Sequence, residues 1–328
     1  MAKSINANNR HTWQFGRQSP ETYYQRLISE DRSTLSQCIS LAESQHLRDK
    51  EIISDLLNLS QSSWVDNATQ RIGITGPPGV GKSTFIEGLG LATAQQGDQQ
   101  IAVLAIDPTS IATKGSILGD KTRMGGLSQM PNVYIRPNPS KEQLGGLTLE
   151  TATSILLCEA AGYQTTYIES VGVGQSEIAI DMMADVVILL VQPGSGDTLQ
   201  GIKKGVMEVA DLIVIHKLDG ATERLGKEML NQLKLLYPHT PIIGHSSYPD
   251  VNPQSLEEIR SAVAKICTDL QPKRTRQKTY LVNAELRAAL LDHALANGLY
   301  QQIGEISSIQ HPTEAYVKLR KALNNSKI

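Results

Sequence analysis

The octet Gly76-Pro77-Pro78-Gly79-Val80-Gly81-Lys82-Ser83 fits G-x-x-x-x-G-K-[ST] and lies between a strand-like run, Arg71-Ile72-Gly73-Ile74-Thr75, and an apolar helix-like stretch, Thr84 to Gln96. In that context it reads as a phosphate-binding loop. Glycines let successive backbone N–H groups turn toward one anion, Lys82 reaches the β- and γ-phosphates, and the Ser83 hydroxyl can ligate Mg²⁺. Gly76, Gly79, Val80, Gly81, Lys82, Ser83 and Thr84 are thus candidate contacts with a nucleoside triphosphate. The motif constrains the fold as strongly as the ligand, because it requires a strand that feeds directly into a helix.

From Arg71 to Leu270 short β-rich runs alternate with helical stretches. Strands are expected near 71–75, 101–106, 133–136, 165–169, 186–192, 212–216 and 241–243, and helices near 83–96, 147–161, 175–183, 198–209, 221–236 and 254–270. This alternation predicts an α/β P-loop NTPase fold, a mostly parallel sheet with helices on both faces and ligands at the carboxyl ends of its strands. Ahead of it, residues 1–65 form a helical N-terminal extension, with apolar residues such as Leu27, Leu35, Ile39, Ile52 and Leu56 at near-helical spacing over two or three helices. The P-loop domain is placed at 66–271. After the basic break Gln271 to Arg276, residues 272–328 read as a helical C-terminal arm, docked on its own domain or embracing a second copy.

A formal net charge of -2 gives no electrostatic case for nucleic acid or an anionic membrane. The apolar run Val186 to Val191 falls far short of the ~20 residues of a membrane span and suits a buried parallel strand. Met1 to Ser19 lacks the apolar core of a secretory signal, so the expected location is the cytoplasm. Cys38, Cys158 and Cys267 are widely separated and odd in number, which argues for buried thiols rather than a disulfide framework or metal knuckle. His239 and His245 are the nearest pair of histidines in this part of the chain, but a short strand between them disfavours a metal site.

Three more segments carry chemistry, each at a strand end. Asp107 closes the second strand, and Asp120 lies in the long Gly/Lys-rich loop after it; either carboxylate can hold Mg²⁺ directly or through water. Their blander readings are a turn cap with Pro108 and a solvated loop acid. Glu169 closes the fourth strand ahead of Ser170-Val171-Gly172-Val173-Gly174-Gln175, where Gly172 can present its amide to the γ-phosphate, Glu169 faces metal or water, and Gln175 can orient water. His216-Lys217-Leu218-Asp219 stands where guanine-specific proteins carry Asn-Lys-x-Asp. An Asp219 carboxylate accepts from the guanine N1–H and 2-amino group, whereas adenine has no donors there. Lys217 can lay its stem along the base, and Ser246-Ser247 falls where a base-contacting loop belongs; the alternative for Asp219 is a helix N-cap.

Together these stretches resemble the MeaB/ArgK family of GTPases, over about residues 71 to 270. Further matching segments are Gly115 to Met124, Ile135-Arg136-Pro137, Ile155 to Tyr163, and Gly196 to Gly205. The resemblance implies a GTP-hydrolysing chaperone of adenosylcobalamin-dependent acyl-CoA mutases, binding Mg²⁺ with GTP or GDP and acting as a homodimer. It implies slow intrinsic hydrolysis, accelerated by the mutase and coupled to loading or rescue of its cobalamin. It also implies that Lys82 and Ser83 hold phosphate and Mg²⁺, that Asp107, Asp120 and Glu169 lie near the metal, and that Gln200 and Lys203 belong to a third switch.

The sequence departs from the family pattern at the base pocket. His216 replaces the Asn that braces the P-loop and base, so a lost brace and weaker guanine affinity are expected. Leu218 replaces a small residue, and Ser246-Ser247 stands for Ser-Ala. A P-loop kinase and a nucleotide-gated binding module with weak hydrolysis stay open as other readings. A nickel or zinc metallochaperone GTPase would need a Cys/His cluster that the sequence lacks.

Overall fold

The computed structural model describes residues 17–44, 46–66, 69–97, 99–107, 124–139, 149–170, 180–181, 183–194, 207, 209–247 and 254–269. Among them are all seven expected strands: β1 (Gln70–Thr75), β2 (Ile101–Asp107), β3 (Val133–Pro139), β4 (Thr165–Glu169), β5 (Val186–Val191), β6 (Leu212–Ile215) and β7 (Ile242–Gly244). They pair in parallel throughout, in the order β3-β2-β4-β1-β5-β6-β7. Parallel neighbours require crossovers, and the helices supply them: α4 (Lys82–Ala94), α5 (Gly125–Ser128), α6 (Leu149–Ala160), α7 (Glu223–Leu236) and α8 (Ser255–Asp269) follow α1 (Pro20–Ile28), α2 (Arg32–Ala42) and α3 (Leu47–Asp66). The short α5 was not foreseen. Of the helices expected over 175–183 and 198–209, only residues 180, 181, 183, 207 and 209 are described, and the C-terminal arm lies outside the described residues.

Alternation along each strand splits the core between the two faces of the sheet. In β2, Ile101 and Val103 join Phe85, Ile86 and Leu89 of α4, whereas Ala102 and Leu104 join Ile155 and Leu156 of α6. Every residue of β5, Val-Val-Ile-Leu-Leu-Val, is buried, as expected for a central parallel strand covered on both faces. Past β5 a third cluster joins Leu189, Val191, Ile213 and Ile215 to Met229 and Leu233 of α7. Cys38, Cys158 and Cys267 are free and buried, as the sequence led us to expect.

The N-terminal region folds as three helices, the first two capped by side chains. Ser19 caps α1 with Pro20 in its first turn. Asp31 caps α2 by accepting from the amides of Ser33 at 2.9 Å and Thr34 at 3.2 Å. Hydrogen bonds from Ser33, Thr34 and Arg26 hold its carboxyl well below the usual range. Leu35, Ile39 and Leu56 then share a cluster with α6, so these helices form a second layer over that face. At the sheet edge Arg136 Nη2 donates to Glu43 Oε2 at 2.8 Å, and Tyr134 Oη lies 3.1 Å from Ser36 Oγ.

Arg71, in the strand that leads into the phosphate loop, is 1% exposed. It donates from Nε to Glu159 Oε1 at 2.7 Å and from Nη2 to Glu159 Oε2 at 2.8 Å, while Thr69 Oγ1 donates to Oε1 at 3.1 Å. This two-pronged pairing is what makes a guanidinium tolerable in the core. It ties β1 to the end of α6.

Candidate nucleotide site

At the carboxyl end of β1 the chain turns through the predicted loop and enters α4 at Lys82. Gly81 precedes the helix at φ 101° and ψ 31°, and no side chain caps the helix. The first amides of α4 are therefore left to an anion. A Cβ on Gly81 would stand 2.7 Å from His216 Cε1 and 2.8 Å from Nδ1, so both backbone angle and space demand glycine. Lys82 arches back over the loop, donating from Nζ to the carbonyls of Gly76 at 2.9 Å and Pro77 at 3.3 Å. Burial lowers its pKa, opposed by the negative charge of Glu169. Thr84 follows, exposed in the first turn of α4.

Because β4 lies beside β1, its last residue reaches the same turn. Ser83 Oγ donates to Glu169 Oε1 at 2.9 Å. Two oxygens so close, one a hydroxyl and one a carboxylate, form a hard donor pair of the kind that suits Mg²⁺. Ser170 Oγ donates to Thr75 Oγ1 at 3.0 Å and its amide to the Ile74 carbonyl at 3.0 Å, closing the joint between the two strand ends. Asp107 ends β2, one strand further out; its side chain lies outside what is described. Asp120, Gly172, Gln175, Gln200 and Lys203 also lie outside the described residues.

On the other side of β1, β6 and β7 deliver the base-side residues. The expected loss of the brace at position 216 does not occur. His216 Nδ1 lies 2.8 Å from the Val80 carbonyl and Nε2 lies 2.7 Å from Ser247 Oγ. A carbonyl only accepts, so Nδ1 carries the proton and Nε2 of the neutral ring accepts from the serine. Burial lowers the pKa of His216 and favours that neutral form, despite the opposing hydrogen bond to Val80. An imidazole thus replaces an amide as the strut beneath the phosphate loop.

Lys217, in the left-handed region at φ 60°, donates from Nζ to the Gly79 carbonyl at 2.7 Å and to Gln192 Oε1 at 3.0 Å. Consecutive residues therefore fasten two consecutive loop carbonyls. Leu218 turns inward: its Cδ2 lies 2.6 Å from where a Cβ on Gly244 would be, and its Cδ1 occupies the space a Cβ on Gly226 would need. Its bulk is thus absorbed by two glycines. Asp219 stands at the N-cap position of the short 3₁₀ turn Gly220–Thr222 but its side chain makes no cap bond; its Oδ2 accepts instead from Ser246 Oγ at 2.7 Å.

The sequence raised His245 only as half of a disfavoured metal pair with His239 and gave it no place in the nucleotide site. Its ring stacks on His216 with centroids 5.3 Å apart and planes 16° from parallel, and Phe85 of α4 meets both rings edge-on, at 5.5 Å and 6.0 Å. His245 Nδ1 lies 2.8 Å from Ser255 Oγ at the start of α8. Burial, with help from the charge of a protonated His216, pushes its pKa down to about 4. The signal available in sequence was a histidine directly after each of two adjacent strands, legible only once those strands were known to be neighbours. Among the described residues no group of three or more His, Cys, Asp or Glu is arranged to hold a metal ion, and no helix is long and apolar enough to cross a membrane.

With this geometry in hand, comparison with known proteins is specific. A family profile described as "Methylmalonyl Co-A mutase-associated GTPase MeaB" matches residues 35–293. The chain is 46% identical over 225 residues to the mitochondrial methylmalonic aciduria type A homolog of Mus musculus, covering 65% of this chain and 54% of that protein. It is 48% identical over 219 residues to a putative GTPase of Caulobacter vibrioides, covering 66% of each. To the GTPase ArgK of Escherichia coli it is 50% identical over 195 residues, covering 60% of this chain and 58% of that one. The matches thus span between about half and two thirds of these relatives' lengths. A crystal structure of an LAO/AO transport system kinase superposes with a TM-score of 0.66 at 28% identity, covering 98% of this chain and all of that one. The chain belongs to the MeaB family of methylmalonyl Co-A mutase-associated GTPases.

Proposed function

We propose that this chain binds guanosine di- and triphosphates with Mg²⁺, hydrolyses GTP, and uses that turnover to assist cofactor loading or protection of an adenosylcobalamin-dependent acyl-CoA mutase of the methylmalonyl-CoA type. The observation that carries the reading is the Lys82-Ser83 step at the head of α4, with Ser83 Oγ 2.9 Å from Glu169 Oε1. In this reading Lys82 exchanges its carbonyl partners for phosphate oxygens, the uncapped amides of α4 grip the β-phosphate, and Asp219, held by Ser246, accepts from guanine. Ser83 and Glu169, with Asp107 and Asp120 as further candidates, would hold Mg²⁺. When bound, that ion neutralises charge on the transferring phosphoryl group.

Gly172 and Gln175 are proposed to meet the γ-phosphate and its attacking water, and Gln200 and Lys203 to respond to the mutase. We further propose a homodimer in the cytoplasm, built through the arm at 272–328 on a P-loop domain at 66–271 with the helical extension at 1–65. Calorimetry of the intact chain with GTP, GDP and Mg²⁺ tests the first claim: heat of binding in the wild type, lost in Lys82→Ala, is expected, and silence with both nucleotides ends the reading. A pull-down of purified cobalamin mutases in GTP, GDP and no nucleotide tests the second. Capture that ignores the nucleotide would sink the coupling. The kinase named in the structural comparison motivates one further arm, in which labelled γ-phosphate must appear as free phosphate and not on an acceptor.

A further inference from the structure

His216 stands where guanine-specific proteins place an Asn that braces the phosphate loop and the base, and its surroundings leave it only the first of these tasks. An imidazole has two ring nitrogens, and both are engaged by the protein: Nδ1 donates to the Val80 carbonyl at 2.8 Å, and Nε2 accepts from Ser247 Oγ at 2.7 Å. One face lies on His245, an edge contact comes from Phe85, and Gly81 abuts the ring so closely that no Cβ fits between them. The residue is 2% exposed. Neither a nitrogen nor an open face is left for a ligand. The two partners nevertheless belong to the two ends of the site, Val80 to the phosphate loop and Ser247 to the segment after β7.

We propose that His216 is a positioning residue, fixed as the Nδ1–H tautomer, that sets the spacing between the phosphate loop and the base-side segment and reads no atom of the base. The inference rests on the guanine-nucleotide reading above. It follows that the purine is discriminated through Asp219 at the N1/2-amino edge, and that position 216 contributes nothing to recognition of N7. In a family pattern that places an amide here, this chain keeps the strut and gives up a donor.

The test uses the full chain and two probes, GDP and 7-deaza-GDP, in which N7 is replaced by C–H. His216→Ala removes both ring bonds and is expected to weaken GDP by about tenfold through the one to the Val80 carbonyl, and His216→Asn, whose amide nitrogen falls near Nδ1, to recover affinity to within about threefold of wild type. The ratio of GDP to 7-deaza-GDP affinity is expected to agree within about threefold among wild type, His216→Ala and Ser247→Ala, whatever its absolute value. A larger drop in that ratio in His216→Ala would show that the ring reads N7 and would overturn the proposal. So would an asparagine variant no better than alanine. Should His216→Ala not fold, Ser247→Ala carries the comparison, since it removes the Nε2 partner and leaves the ring in place. A ¹⁵N-histidine spectrum of the nucleotide-free protein is the separate arm. A protonated, pyrrole-type Nδ1 with a pyridine-type Nε2 supports the assignment, and the opposite tautomer refutes it. If wild type binds neither probe, the guanine-nucleotide reading fails, and this spectrum still decides the positioning claim.

Discussion

Two glycines of the phosphate loop separate backbone strain from crowding, and substituting each with alanine measures the two effects. Gly79 has φ 76° and nothing within 4 Å of a Cβ, whereas Gly81 has φ 101° and a Cβ that would stand 2.7 Å from His216 Cε1 and 2.8 Å from Nδ1. An L-residue held in that left-handed region costs about 1–2 kcal/mol. Gly79→Ala is expected to cost that much. Gly81→Ala adds a contact roughly 0.8 Å shorter than the optimal carbon separation of about 3.5 Å. The ring cannot swing aside freely, because bonds of 2.8 Å and 2.7 Å pin it at both nitrogens. Moving it forfeits at least one of them, about 1 kcal/mol, so Gly81→Ala is expected to cost about 2–4 kcal/mol. The entropy an alanine removes from the unfolded chain is common to both variants and cancels. Urea unfolding without nucleotide reads the difference, about 1–2 kcal/mol. In a His216→Ala background the clashing ring atoms are gone, and the cost at Gly81 is expected to fall to that at Gly79. Equal costs for the two glycines in the wild-type background, or a cost at Gly81 indifferent to position 216, would refute the reasoning.

Acid should destabilise the fold through the histidine pair. His245 titrates at about 4 when folded and near its ordinary 6.5 when unfolded, so between those values the unfolded chain binds the extra proton. Its stabilising contribution is complete above pH 6.5 and is lost as pH falls toward 4, by about 3 kcal/mol; urea midpoints between pH 7 and 4.5 should show a slope that His245→Gln reduces, and an unchanged slope would remove His245 as its source. Glu159→Gln removes the carboxylate charge that faces the buried guanidinium of Arg71 and should cost about 3–5 kcal/mol, while Arg71→Met with Glu159→Leu should recover most of it; a double variant no better than the single would count against desolvation as the cause. At the sheet edge, Arg136→Met deletes the bond to Glu43 and should lower protection of α2 amides in hydrogen exchange by about 1–3 kcal/mol, without a matching change in α4.

Features encoded within about ten residues were legible in the sequence. The phosphate loop follows from glycine, lysine and serine at fixed spacing, the seven strands from β-rich runs, and the helical character of the N-terminal extension from its apolar spacing. Ser83 beside Glu169 was foreseen as a pair of roles, and the carboxylate of Asp219 as free of capping was the favoured of two readings. The Arg71–Glu159 pair was not visible, because nothing near Arg71 in sequence announces a partner 88 residues away. Nor was the bracing role that the imidazole at position 216 takes over. Judged as a single residue it looked like a loss, whereas the folded chain gives its ring two bonds.

What the sequence alone determined is the inventory: an α/β alternation, a phosphate-gripping turn, and acidic or basic residues at the strand ends. What the tertiary structure decided is which of these meet. The strand order places β4 and β5 on either side of β1, with β6 and β7 beyond, so that Glu169 reaches Ser83 across 86 residues and His216 spans 136 residues to Val80 and 31 to Ser247. Parallel pairing needs long crossovers, and the choice of neighbour is made by burying each helix and strand face against a complementary one. That choice belongs to the packed whole, and no local stretch of sequence contains it.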